Sequence, residues 1–165
     1  MNLRTAALTA AMVSAGVAFS SAQAATVTTT MAVTITLIKA CSVSAATLNF
    51  GSSVGLLSSA VNQSTTLSVT CTKNAAYNIG LDAGQNGGGN VNARAMKSGA
   101  GDTVSYQLYS DSGNTTVWGN TIGTNTVASN GTGTAQSFTV YGQVPAQTTP
   151  PAATYNDNVT VTVTY

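Results

Sequence analysis

Apolar and polar residues alternate along Val27-Thr28-Thr29-Thr30-Met31-Ala32-Val33-Thr34-Ile35-Thr36-Leu37, which puts Val27, Met31, Val33, Ile35 and Leu37 on one face of an extended chain. A period of two is the strand signature, and a lone strand leaves an apolar row and its backbone groups uncovered in water. The segment therefore needs a groove to lie in, within its own domain or in a neighbouring molecule. The same alternation recurs downstream. Leu67, Val69 and Cys71 share one face of 65–71, followed by Tyr77, Ile79 and Leu81, then Val104, Tyr106 and Leu108, then Phe138, Val140 and Val144. Turn formers separate these rows: Asp82-Ala83-Gly84, 85–90 with three consecutive glycines, 110–114, and Ser129-Asn130-Gly131. No stretch sustains helical periodicity, so the pattern predicts an all-β, antiparallel β-sandwich.

The end of the chain matters as much. After Pro150-Pro151, Val159, Val161, Val163 and Tyr165 alternate with threonines up to the last residue. A strand placed there has no sequence after it to supply a partner, and an uncovered outer edge is one that proteins ordinarily avoid. The expectation is a sandwich one strand short at its end, with a spare strand at its beginning.

Ahead of the spare strand, Arg4, the apolar run Ala6 to Phe19 and the small-x-small box Ala22-Gln23-Ala24 read as a signal peptide over 1–24. No later run is long and apolar enough to hold the mature chain in a membrane, which predicts export through the periplasm to the cell surface or secretion. In an oxidising compartment the two cysteines, Cys41 and Cys71, read as one disulfide closing a loop of about 30 residues.

Charge and chemistry narrow the function. Five basic residues against four acidic ones leave a net charge of +1, and Arg4 falls in the leader. That balance argues against nucleic acid or an anionic membrane as partner. It also lets copies of a threonine-, serine- and asparagine-rich surface associate. The chain has no histidine and no glutamate, so a metal site and general acid–base catalysis lack their usual groups. No catalytic residue, metal or cofactor is expected; the protein reads as no enzyme. Asp82 and Asp102 sit beside glycines and read as turn residues, as does Asp111-Ser112-Gly113-Asn114, which lacks the closing glutamate of a calcium loop. Trp118 and the tyrosines read as core or half-buried aromatics in preference to a glycan-binding surface.

Several segments together resemble the spore coat protein U domain. They are Cys41-Ser42-Val43, Leu48-Asn49-Phe50-Gly51, Val69-Thr70-Cys71, Tyr77-Asn78-Ile79-Gly80-Leu81-Asp82-Ala83-Gly84, Val104-Ser105-Tyr106-Gln107-Leu108-Tyr109, Val140-Tyr141-Gly142-Gln143-Val144 and the run from Tyr155 to Val163. The family includes pilins of archaic chaperone–usher pili. The resemblance implies an immunoglobulin-like sandwich lacking its last strand, filled first by a periplasmic chaperone and then, at an outer-membrane usher, by the N-terminal segment of the next subunit. Carried onto this chain, Val27, Met31, Val33, Ile35 and Leu37 match the donor strand within 25–39. Val159, Val161, Val163 and Tyr165 match the acceptor groove and chaperone edge of a 40–165 domain, and Cys41 and Cys71 match the family disulfide.

One feature of the residues favours donation to a neighbour over self-completion: from Ala24 to Leu48 there is no glycine, proline, asparagine or aspartate to reverse the chain. The function expected is a structural pilus subunit that polymerises by donor-strand complementation, with identical or related pilins as partners, for surface attachment and biofilm formation. A self-contained spore or cell-surface coat protein, or a glycan-binding adhesin module, is the alternative. One domain's worth of chain leaves no room for the extra receptor domain of a tip subunit.

Overall fold

Val61–Cys71, the longest strand among the described residues, alternates buried and less buried positions over Leu67 to Cys71 and lies inside the larger sheet. The computed structural model describes residues 22–52 and 54–165; the signal peptide expected over 1–24 lies for the most part outside these. Nine strands occur among the described residues: β1 (Cys41–Ala45), β2 (Val61–Cys71), β3 (Ala76–Leu81), β4 (Ala95–Lys97), β5 (Thr103–Ser105), β6 (Gln107–Tyr109), β7 (Val127–Asn130), β8 (Ala135–Val144) and β9 (Val161–Thr164). All pairings are antiparallel. One sheet has the order β1-β2-β8-β6 and another β7-β3-β9, with β4-β5 as a separate pair.

The predicted apolar rows form the core. Leu67, Val69 and Cys71 of β2, Tyr77, Ile79 and Leu81 of β3, and Val140 and Val144 of β8 are buried together with Trp118. Trp118 donates its indole N–H to the Ile79 carbonyl at 2.9 Å, which satisfies its polar group inside the apolar layer. Cys41 and Cys71 are joined by a disulfide and stand opposite each other in the β1–β2 ladder, so the bridge fastens the edge strand to the centre of its sheet.

The strands differ from the sequence expectation in three places. Ser129 and Asn130 belong to β7, paired with Tyr77 and Ala76, and the chain reverses after them; ladder bonds to β3 override the turn preference of these residues. Val104, Tyr106 and Leu108 are all buried, yet they are divided between β5, which pairs with β4, and β6, which pairs with β8. Tyr106 itself, between them, donates its N–H to Arg94 O. Residues 22–40 belong to no strand, although the alternation over 27–37 is the longest in the sequence. A ladder needs a second strand, and the pattern specifies the need for one without supplying it. Among the described residues no helix is long and apolar enough to cross a membrane.

Candidate functional site

The inward face of β1 is uncovered. Cys41, Val43 and Ala45 stand opposite the buried residues Cys71, Val69 and Leu67, so all three point toward the core side of the sheet. Nevertheless Val43 is 39% exposed and Ala45 is exposed. On the facing sheet, β9 is an edge strand with β3 as its one neighbour, and its inward residues Val161 and Val163, opposite Leu81 and Ile79, are half-buried. A strip of sandwich interior between the β1 and β9 edges is therefore open to water.

A cleft of about 720 Å³ occupies one end of this strip. Its walls include core side chains that a complete sandwich would hide: Leu67, Leu81, Leu108 and Val140, with Leu48 and Phe50 beyond β1. Leu48 and Phe50 fit because Gly142 lacks a side chain; a Cβ there would come within 2.5 Å of Leu48 and 2.9 Å of Phe50. Of the four residues expected at the groove edge, Val159 and Val161 line the cleft. Val163 packs half-buried against the core, whereas Tyr165 lies beyond the end of β9 and is 56% exposed.

The bank leading into β9 is held by carboxylates in addition to backbone bonds, Asn156 exchanging two with Lys97 and the Asp82 N–H donating to the Thr160 carbonyl. Asp157 accepts hydrogen bonds from the Tyr106 hydroxyl at 2.7 Å, the Gln85 N–H at 2.9 Å and the Asn86 side-chain amide at 2.9 Å. Gly84 is needed beside it, since a Cβ at that position would sit 1.9 Å from the carboxylate. Asp82 accepts from the Gly84 and Thr160 N–H groups, each at 2.9 Å. Burial works to raise the Asp82 carboxyl, but the hydrogen bonds from Thr160 and Gly84 and the nearby Arg94 charge hold it below its ordinary value. Burial, and then the bond to Asp157, push the Tyr106 phenol far above its own.

Arg94 is the residue that sequence reading missed. It is 1% exposed, donating to the carbonyls of Leu81 at 2.9 Å, Asp82 at 2.6 Å and Trp118 at 2.8 Å, and to the Gln107 side chain at 2.7 Å. Burial lowers its guanidinium pKa, opposed by Tyr106, Asp82 and Asp157. Its five donors in a planar fork suit several backbone carbonyls at once. Nothing in the local sequence Asn92-Ala93-Arg94-Ala95 marks such a role.

The expected donor residues are among the most exposed apolar side chains: Val27 95%, Met31 83%, Val33 82%, Ile35 84% and Leu37 79%. Asp111 serves its own turn, accepting from Thr115 and Thr116. Among the described residues no group of three or more histidine, cysteine, aspartate or glutamate side chains converges.

This architecture is that of a structural β-sandwich subunit with an open edge. The model of the family described as Spore Coat Protein U domain matches residues 27–162, and the chain belongs to that family. Protein U of Myxococcus xanthus is 35% identical over 163 residues, covering 90% of each protein. A solved relative occurs in the crystal structure of the CsuC–CsuE chaperone–tip adhesion subunit pre-assembly complex from the archaic chaperone–usher Csu pili of Acinetobacter baumannii. It matches with a TM-score of 0.56 and 28% identity over 79% of this chain, which spans 40% of that chain's length. The family and the shared fold are structural and non-enzymatic.

Proposed function

We propose that the chain is a subunit of a surface fibre of the archaic chaperone–usher type, whose open groove accepts a strand from another molecule. The observation that carries this reading is the uncovered inward face of β1 beside the unpaired edge of β9, with Leu67, Leu81, Leu108 and Val140 in the cleft between them. In this reading residues 1–24 are a cleaved leader, 25–39 are the donor segment and 40–165 are the accepting sandwich. A periplasmic chaperone fills the groove first. The segment bearing Val27, Met31, Val33, Ile35 and Leu37 from a neighbouring subunit then replaces it at an outer-membrane usher, and the fibre serves attachment and biofilm formation.

The energetics are permissive. Burying Met31, Val33, Ile35 and Leu37 yields roughly 6 to 12 kcal/mol at about 1.5 to 3 per side chain. Ordering about eleven residues costs about 11 to 22 kcal/mol at about 1 to 2 kcal/mol each, more than side-chain burial alone returns. New ladder bonds and the covering of the groove supply the surplus.

Ile35→Asp tests the reading. Ile35 is 84% exposed, so the substitution leaves the fold and disulfide of its own chain intact, whereas in a neighbour's groove it buries a carboxylate. Filaments should be lost while soluble subunit persists; normal filaments would refute the reading. The 35% identity to Protein U over 90% of both chains favours a second reading, a surface coat protein. Electron microscopy of labelled cells separates the two, since the coat reading gives a layer without filaments.

A further inference from the structure

We infer that the incoming strand lies antiparallel to β9 in one register, fixed by Lys39 of the incoming copy meeting Asp157 of the accepting copy. The inference rests on the strand-accepting reading above. Met31, Val33, Ile35, Leu37 and Lys39 occupy successive places in one side-chain row, and so do Asp157, Val159, Val161, Val163 and Tyr165. Set antiparallel with Leu37 opposite Val159, Ile35 meets Val161, Val33 meets Val163 and Met31 meets Tyr165. Four apolar residues then oppose four apolar or aromatic ones, and Lys39 falls opposite Asp157.

Asp157 is the one carboxylate lining the cleft. Its oxygens hold three hydrogen bonds, from Tyr106, Gln85 and Asn86. A carboxylate accepts about four, which leaves a place for an ammonium group. The reverse orientation with the same apolar match would set Thr29 against Asp157 and carry Lys39 past the end of the accepting chain. A charged donor bonds a carboxylate about twice as strongly as a neutral one, so the antiparallel register is preferred. A shift by two residues in either direction also loses the Lys39 contact, so the pair determines register where the apolar row alone would tolerate slippage.

The test is cysteine trapping between full-length copies assembled into filaments, with the native Cys41–Cys71 bridge retained. Directly opposite residues stand about 4.5 to 5.5 Å apart at Cβ, and diagonal neighbours at about 7 to 8 Å. Leu37→Cys with Val159→Cys should give a covalent ladder on a non-reducing gel, and Leu37→Cys with Val163→Cys should not. Linkage through the second pair, or through neither in filaments that still form, overturns the register and leaves the strand-accepting reading standing. Failure of the wild-type chain to form filaments would overturn both. In the same assay Lys39→Gln should weaken assembly about two- to fivefold, the scale of an exposed ion pair. Unchanged assembly would remove Lys39 from the register-setting role.

Discussion

Val161→Asp separates what the groove does in the empty subunit from what it does when filled. In the empty subunit Val161 is half-buried on the inward face of β9, opposite Leu81, and lines the cleft. An aspartate there forfeits about half of the 1.5 to 3 kcal/mol of a buried valine, about 1 kcal/mol, and keeps access to water. With a strand laid over it the same carboxylate loses that access, and the cost rises to about 3 to 4 kcal/mol. The difference, about 2 to 3 kcal/mol, weakens binding of a synthetic 25–39 peptide by about 30- to 150-fold at 1.4 kcal/mol per tenfold. Titration calorimetry gives the affinity, and denaturant unfolding without peptide gives the small residual effect. Peptide bound equally well by both chains would refute the placement of the groove. A loss of several kcal/mol in the empty subunit would show instead that Val161 belongs to a core already complete.

Three other outcomes follow from the same structure. Reducing the Cys41–Cys71 bridge, or replacing both cysteines by alanine, should cost about 2 to 5 kcal/mol in denaturant unfolding, and mass spectrometry of unreduced peptides should recover the two cysteines linked. Arg94→Met should cost about 3 to 5 kcal/mol by the same measurement, because the Leu81, Asp82 and Trp118 carbonyls lose their donor inside the core. Two pH limbs are expected in unfolding titrations. The depressed Asp82 carboxyl contributes stability that is present above its unfolded pKa of about 3.9 and is lost as pH falls below it. The Tyr106 phenol stays protonated in the folded chain while the unfolded one ionises near pH 10, so stability falls as pH rises beyond about 10, and Tyr106→Phe should reduce that limb, to which Tyr155, also raised, contributes.

The legible parts of the fold were those written as period-two rows. Leu67-Val69-Cys71 and Tyr77-Ile79-Leu81 could be placed on buried faces because alternation reports directly which side of a strand meets the core. Strand boundaries set by pairing were not legible: Ser129 and Asn130 carry turn chemistry, and β3 draws them into a strand. Leu48, Phe50 and Gly142 form a contact across distant segments, and the only sequence signal was a glycine inside the Val140–Val144 row, which marks close approach without naming what approaches. Arg94 was invisible for a related reason. Its role depends on three carbonyls from separate segments, and a carbonyl has no residue identity. At the cleft, the alternation of Val159 and Val161 marked an apolar strand face and the family resemblance supplied its role as an edge, whereas Asp82 read only as a turn residue and nothing in the sequence marked Asp157 as a support of that bank.

The central claim, that a strand from one copy fills the groove of another, is tested most directly by mixing two defective copies. One lacks residues 25–38 and keeps its groove; the other keeps the segment and carries Val161→Asp. Analytical ultracentrifugation of the mixture should show a one-to-one pair and nothing longer, since one donor and one groove remain, with each chain alone staying monomeric. Filaments from either copy alone, or no pair on mixing, would contradict the account.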